Sequence, residues 1–132
     1  MILRHCTLKK HIPSILSDGY IRGSNRPGKS DDKCISFEEY KGNDYFLKGY
    51  MLLNNLNVED VAQLFVDGNK LLKEGFQFKN TWYSKEEHYV LFHSGQISAE
   101  EYKGIGEYYF IEGSLSLEYL TDETKKVIGY LS

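Results

Sequence analysis

The sequence predicts an α+β fold, a mostly antiparallel β-sheet with one or two helices. Three observations predict it. Strand-like segments come first, helical character is confined to one or two stretches, and strand-like segments then return. That order does not alternate as βαβ units do. Eleven Tyr and seven Phe favour the pleated, half-buried surfaces of a sheet. The length of 132 residues suits one domain spanning residues 1–132, burying about two-thirds of its unfolded surface.

Ile2 to Thr7 reads as a first strand. Ile12 to Ser17 reads as a short helix, with Pro13 tolerated in its first turn. Ile12, Ile15 and Leu16 give it an apolar stripe, and Gly19 stops it. Ser24 to Asp32 (SNRPGKSDD) is a polar, turn-rich loop. Lys33 to Phe37 reads as a strand. The longest predicted helix runs from Val58 to Glu74, with Asn57 as cap and Glu59 and Asp60 at its positive end. Val58, Val61, Phe65 and Leu72 lie along one side of it, with Leu64 and Leu71 flanking, and Gly75 ends it. Residues 76–83 carry no clear period. Glu87 to His93 and Glu107 to Ile111 read as strands. Leu115, Leu117 and Tyr119 alternate with polar residues, a half-buried strand pattern, and Lys126 to Leu131 is a candidate closing strand.

Composition narrows the function classes. Net charge is −3, which lacks the basic footprint of a general nucleic-acid binder. Arg4, Lys9, Lys10, Arg22, Arg26 and Lys29 give the first thirty residues a basic bias, read as a solvated surface. Two cysteines, Cys6 and Cys34, make no disulfide framework and favour a cytoplasmic chain with free thiols. The opening MILRHCTLKK has no signal-peptide core, and no apolar run approaches the ~20 residues that span a bilayer. No membrane partner is expected.

Several chemistries are excluded by pattern. There is no P-loop and no GxGxxG following a strand. His5 with Cys6, and the pair His88 and His93, lack zinc-ligand spacing, so no metal is expected. A nucleophile built on Cys6 would need a base, but His5 is its strand neighbour and points to the opposite face.

Three ordered segments remain. They are Leu3-Arg4-His5-Cys6-Thr7 with Ile15-Leu16-Ser17-Asp18-Gly19; Ile35-Ser36-Phe37 with Lys41 and Tyr45; and the run from Glu107 through Tyr119-Leu120. Their order and content resemble the ADP-ribosyltransferase superfamily, in the branch of poly(ADP-ribose) polymerases and diphtheria-like toxins. That branch has His-Gly-Ser or His-Gly-Thr on its first strand, a helix ending Ile-Leu-x-x-Gly, an Ile-Tyr-Phe strand followed by Lys-x-x-x-Tyr, and a glutamate opening a later strand. The resemblance spans residues 3 to 120. Two positions depart from it, since Cys6 stands where Gly is usual and Ser36 where Tyr is usual.

The resemblance implies a split-sheet ADP-ribosyltransferase fold and NAD⁺ as co-substrate. It implies that His5 and Glu107 are catalytic, and that His5, Cys6, Thr7, Ser36, Tyr40 and Tyr45 bind NAD⁺. His5 would bond ribose hydroxyls, strand backbone near Thr7 would hold the carboxamide, and Tyr40 or Tyr45 would stack on nicotinamide. Glu107 would stabilise the oxocarbenium-like state, an effect often worth ~3–4 kcal/mol. Each residue also has a plainer reading. His5 can be a core histidine, Tyr45 one of eleven structural tyrosines, Glu107 a strand-end carboxylate, and Glu112 is its nearest rival, though it precedes Gly113 as turn residues do. Two function classes are open. One is mono-ADP-ribosylation of a protein, less favourably of a nucleic acid, by a toxin, effector or anti-defence protein in the cytoplasm of a bacterial host cell, phage- or bacterium-encoded. The other is a catalytically silent member of the fold that binds NAD⁺, ADP-ribose or a protein partner.

Overall fold

A computed structural model describes residues 1–25, 27–28, 32–79, 89, 92–104 and 108–131. The first strand, β1 (Ile2–Leu8), alternates the buried Leu3 with side chains of the opposite face. Helix α1 (Ile12–Asp18) comes after a single 3₁₀ turn and carries Pro13 in its first turn. Gly19 ends it in a left-handed conformation (φ 82°), its N–H donating to the Ile15 carbonyl at 2.9 Å; this is a helix stop that suits a residue without Cβ. Then come β2 (Tyr20–Arg22), β3 (Cys34–Glu39) and α2 (Tyr45–Asn54). The chain continues through β4 (Val61–Asp67), α3 (Gly68–Lys73) and α4 (Ala99–Gly104). It closes with β5 (Tyr108–Glu112), β6 (Ser114–Ser116) and α5 (Asp122–Ile128).

The fold is α+β, as expected. Four strands form a sheet in the order β4-β1-β3-β5, and β2 pairs with β6 in a second, two-stranded sheet. Every described strand pair is antiparallel. One face of the larger sheet contributes Leu3, Ile35, Phe37, Leu64, Val66 and Ile111 to the core, where Ile21 and Leu115 of the smaller sheet meet them. Each such buried aliphatic or aromatic side chain stabilises by about 1.5–3 kcal/mol relative to exposure. The opposite face holds Arg4, Cys34, Glu38, Tyr108 and Phe110, and α2 packs there through Phe46. Close packing fixes Gly23 between the sheets, since a Cβ there would sit 2.1 Å from the Lys33 carbonyl oxygen.

The predicted helix from Val58 to Glu74 is not formed. Asn57 and Asp60 do build a capping box, but it closes only the 3₁₀ turn Val58–Asp60. The chain then runs as β4, which pairs with β1 over seven residues, and Asp67 caps the short α3 by accepting from the N–H groups of Asn69 and Lys70. Two residues assigned to the helical stripe, Val58 and Leu72, are 60% and 51% exposed. A seven-pair ladder over a buried face outweighs the modest helix propensity of the segment.

The expected closing strand Lys126–Leu131 is also corrected. Thr121 caps α5 by accepting from Thr124 N–H, Asp122 and Glu123 occupy its first turn, and Gly129 stops it in a left-handed conformation. The alternation at Leu115, Leu117 and Tyr119 yields only the three residues of β6, then a 3₁₀ turn over Leu117–Tyr119. Of the strand expected over Glu87–His93, Tyr89, Phe92 and His93 are helical and the rest lies outside the described residues. Helix α2 is an element that the sequence pattern did not signal.

Candidate functional site

The site begins where β1 and β3 part. Their ladder is registered at Leu3↔Glu39 and Arg4↔Glu38, whereas β1 stays paired to β4 from Ile2 to Leu8. On β4, Phe65 turns its main chain away from β1, donating to Thr124 Oγ1 at 3.4 Å and accepting from Thr121 N–H at 2.9 Å. Antiparallel alternation therefore turns the main chain of Leu3, His5 and Thr7 toward β4, and that of Ile2, Arg4, Cys6 and Leu8 toward β3. The Tyr40 N–H donating to the Ile2 carbonyl at 2.9 Å agrees with this parity. A continued ladder would join Cys6 to Ser36. Instead, the Ser36 carbonyl accepts from His5 Nδ1 at 2.8 Å. The Cys6 N–H and C=O thus face a notch between the parted strands.

A carbonyl only accepts, so Nδ1 of His5 carries the proton and the neutral ring presents Nε2 as an acceptor. Burial lowers the His5 pKa from its ordinary value, opposed by the bond to the Ser36 carbonyl. The ring lies 5.7 Å from that of Phe37, centroid to centroid, on the core side of the sheet. Thr7 shares that side by alternation.

The other predicted residues belong to the opposite face. Cys6 and Ser36 alternate onto it, Tyr40 stacks there, and Tyr45 is the first residue of α2. Burial pushes the Cys6 thiol up to about 12, which makes it a poor nucleophile at neutral pH. The Tyr40 ring is already engaged, with the Arg4 guanidinium 4.6 Å from its centroid and Phe65 edge-on at 5.3 Å. The Tyr45 ring has the Lys48 ammonium at 6.0 Å. The structure brings His5 and Ser36 into contact where the strands part, with Cys6 and Thr7 following on β1, and divides the four side chains between two faces.

Arg4 and Glu38 are the residues that sequence reasoning missed. Arg4, read as part of a solvated basic surface, is 1% exposed. Its guanidinium donates to Asp44 Oδ1 (2.8 Å), Glu38 Oε1 (2.9 Å), Gln63 Oε1 (3.1 Å) and the Asn43 carbonyl (3.3 Å). One cation is shared between two carboxylates, so the ionised cluster carries a net negative charge. Burial pushes Glu38 up to about 7 despite Arg4 beside it. The legible signal was a charge inside each of two apolar strands, Arg4 in β1 and Glu38 in β3, at positions that pair.

Glu107 lies outside the described residues; β5 begins at the next residue, Tyr108, which pairs with Glu38. Glu112 is the last residue of β5, not of a turn, and its carboxylate receives Lys79 Nζ at 2.7 Å on an exposed surface. A cavity of about 900 Å³ opens between β4, α1 and α5, lined by Val61, Phe65, Thr124 and Val127 among others. Of the predicted residues that are described, only Tyr40 lines it. Among the described residues, no group of three or more His, Cys, Asp or Glu side chains is arranged to hold a metal ion, and no helix is long and apolar enough to cross a membrane.

Comparison of the chain with protein-family models, curated proteins and solved structures finds no match.

Proposed function

We propose that this chain is a small NAD⁺-dependent ADP-ribosyltransferase, with the notch between β1 and β3 as its nicotinamide site. The observation that carries the reading is the parting of β1 from β3 at Cys6, with His5 bonded across it to the Ser36 carbonyl. A primary carboxamide offers a carbonyl acceptor and an NH2 group that donates. The Cys6 N–H and C=O, turned into the notch, are their complements. His5 Nε2 accepts from a ribose hydroxyl, and the bond at Nδ1 fixes the tautomer that makes this acceptor available. With the Tyr40 ring held by Arg4 and Phe65, Tyr45 is the better stacking face. Glu107, one residue before β5, supplies the carboxylate that stabilises the ribosyl cation as the bond to nicotinamide breaks. The β1–β3 parting is then the split of an ADP-ribosyltransferase sheet, and the acceptor is a protein in preference to a nucleic acid, in the cytoplasm of a bacterial host.

One observation favours a second reading, a silent member of the fold that binds NAD⁺ or a partner without turnover. The resembled branch has Tyr at the middle of this strand, whereas β3 carries the small Ser36 on the face away from His5. Free nicotinamide separates the two readings. Incubation with NAD⁺ and bacterial lysate should release nicotinamide and label a protein with ADP-ribose. NAD⁺ binding without any release would favour the silent reading.

A further inference from the structure

We propose that Arg4 and Asp44 form a latch that positions Tyr45, setting the aromatic face on which nicotinamide stacks; the inference rests on the NAD⁺ reading above. Asp44 occupies the N-cap position of α2, where an Asp side chain ordinarily accepts from the helix's own first N–H groups. Here it makes no such bond. Its carboxylate is diverted instead to Arg4, forty residues earlier, at 2.8 Å.

The diversion is built from several contacts. Arg4 also donates to the neighbouring Asn43 carbonyl at 3.3 Å, and Asn43 Oδ1 accepts from Tyr45 N–H at 3.2 Å. The two residues before Tyr45 are therefore tied to β1, the strand that carries His5 and Cys6. The guanidinium itself is pinned by Glu38 of β3 and Gln63 of β4 and lies over the Tyr40 ring. A rigid, buried cation thus sets where α2 begins relative to the notch. Because Asp44 is 52% exposed, it can be truncated without opening a core void, unlike Arg4.

A double-mutant cycle tests this. NAD⁺ binding is measured by calorimetry for wild type, Asp44→Ala, Tyr45→Ala and the double variant, with amide exchange followed in the absence of NAD⁺ at Lys48, whose N–H donates to the Asp44 carbonyl at 2.8 Å, and at the next two residues, Gly49 and Tyr50. The latch predicts that Asp44→Ala weakens NAD⁺ binding by about three- to tenfold and that the double variant is no weaker than Tyr45→Ala alone, the non-additivity of residues acting through one another. It also predicts faster exchange in the first turn of α2. A merely structural role would give losses that add. Additive losses, or unchanged binding in Asp44→Ala beside a weakened Tyr45→Ala, overturn the proposal. No binding by the wild type overturns the NAD⁺ reading and this role for Tyr45 with it, while faster exchange in Asp44→Ala still identifies the latch itself.

Discussion

His5 donates from Nδ1 to the Ser36 carbonyl at 2.8 Å, across the point where two sheet strands separate. This bond occupies the acceptor that the next main-chain hydrogen bond of the ladder would use. It also fixes which nitrogen of the ring carries no proton. Because burial holds His5 below its ordinary pKa, the unprotonated Nε2 is an acceptor at neutral pH. NAD⁺ affinity should therefore be flat from about pH 7 to 8 and fall only below about 6.5, the ordinary value for His. The sign for stability is the same. The unfolded chain binds this proton first as pH falls, so the contribution of His5 is present above about 6.5 and lost as pH drops through its folded value. Calorimetry across pH 5–8 checks the first statement, and a loss of affinity centred above pH 7 would contradict it.

Tyr45 should act through its ring. Tyr45→Phe should retain NAD⁺ binding, whereas Tyr45→Ala should lose roughly 0.5–1.5 kcal/mol beyond the area effect, the usual worth of an aromatic contact. Equal losses in the two variants would assign the role to the hydroxyl. No loss in either would leave Tyr45 a structural residue.

Glu38 should make stability fall as pH rises. Its folded pKa, about 7, lies above the ordinary 4.5. Between these values the folded state keeps a proton that the unfolded state has released, so the burden grows to at most about 3 kcal/mol by pH 8. Glu38→Gln imitates the protonated side chain. Its melting temperature should match wild type near pH 5 and gain on wild type by pH 8. A variant that instead loses ground at pH 8 would show that the ion pair with Arg4 outweighs burial.

The parts legible in the sequence are those where one physical signal dominates. Pro13 and Gly19 bracket α1, and the run Tyr108-Tyr109-Phe110-Ile111 marks β5. Segment 61–67 misled because Val61, Ala62, Leu64 and Val66 are all buried. With both parities apolar, the strand period is blurred and a helical stripe fits as well. The Asn57 cap was real, but it closes a single turn, and only the pairing with β1 makes residues 61–67 a strand. In the site, His5 stood out by its motif. Arg4 did not, because a charge next to a motif reads as surface until its partners at Glu38 and Asp44, distant in sequence, are brought to it.

Glu107 and Glu112 should separate cleanly. Glu107→Gln should lower ADP-ribose transfer by about 10²–10³ with NAD⁺ affinity changed far less, as for a group acting mainly in the transition state. Glu112→Gln breaks only an exposed pair with Lys79 and should transfer at close to the wild-type rate. Loss of transfer in Glu112→Gln alone would move the catalytic carboxylate to the far end of β5.

The central claim, that the notch between β1 and β3 holds NAD⁺, is tested most directly by titrating the wild-type protein with NAD⁺ in a calorimeter. The account predicts saturable binding in the micromolar-to-millimolar range, about −4 to −8 kcal/mol, weakened by His5→Ala. Millimolar NAD⁺ that neither releases heat nor raises the melting temperature would contradict it.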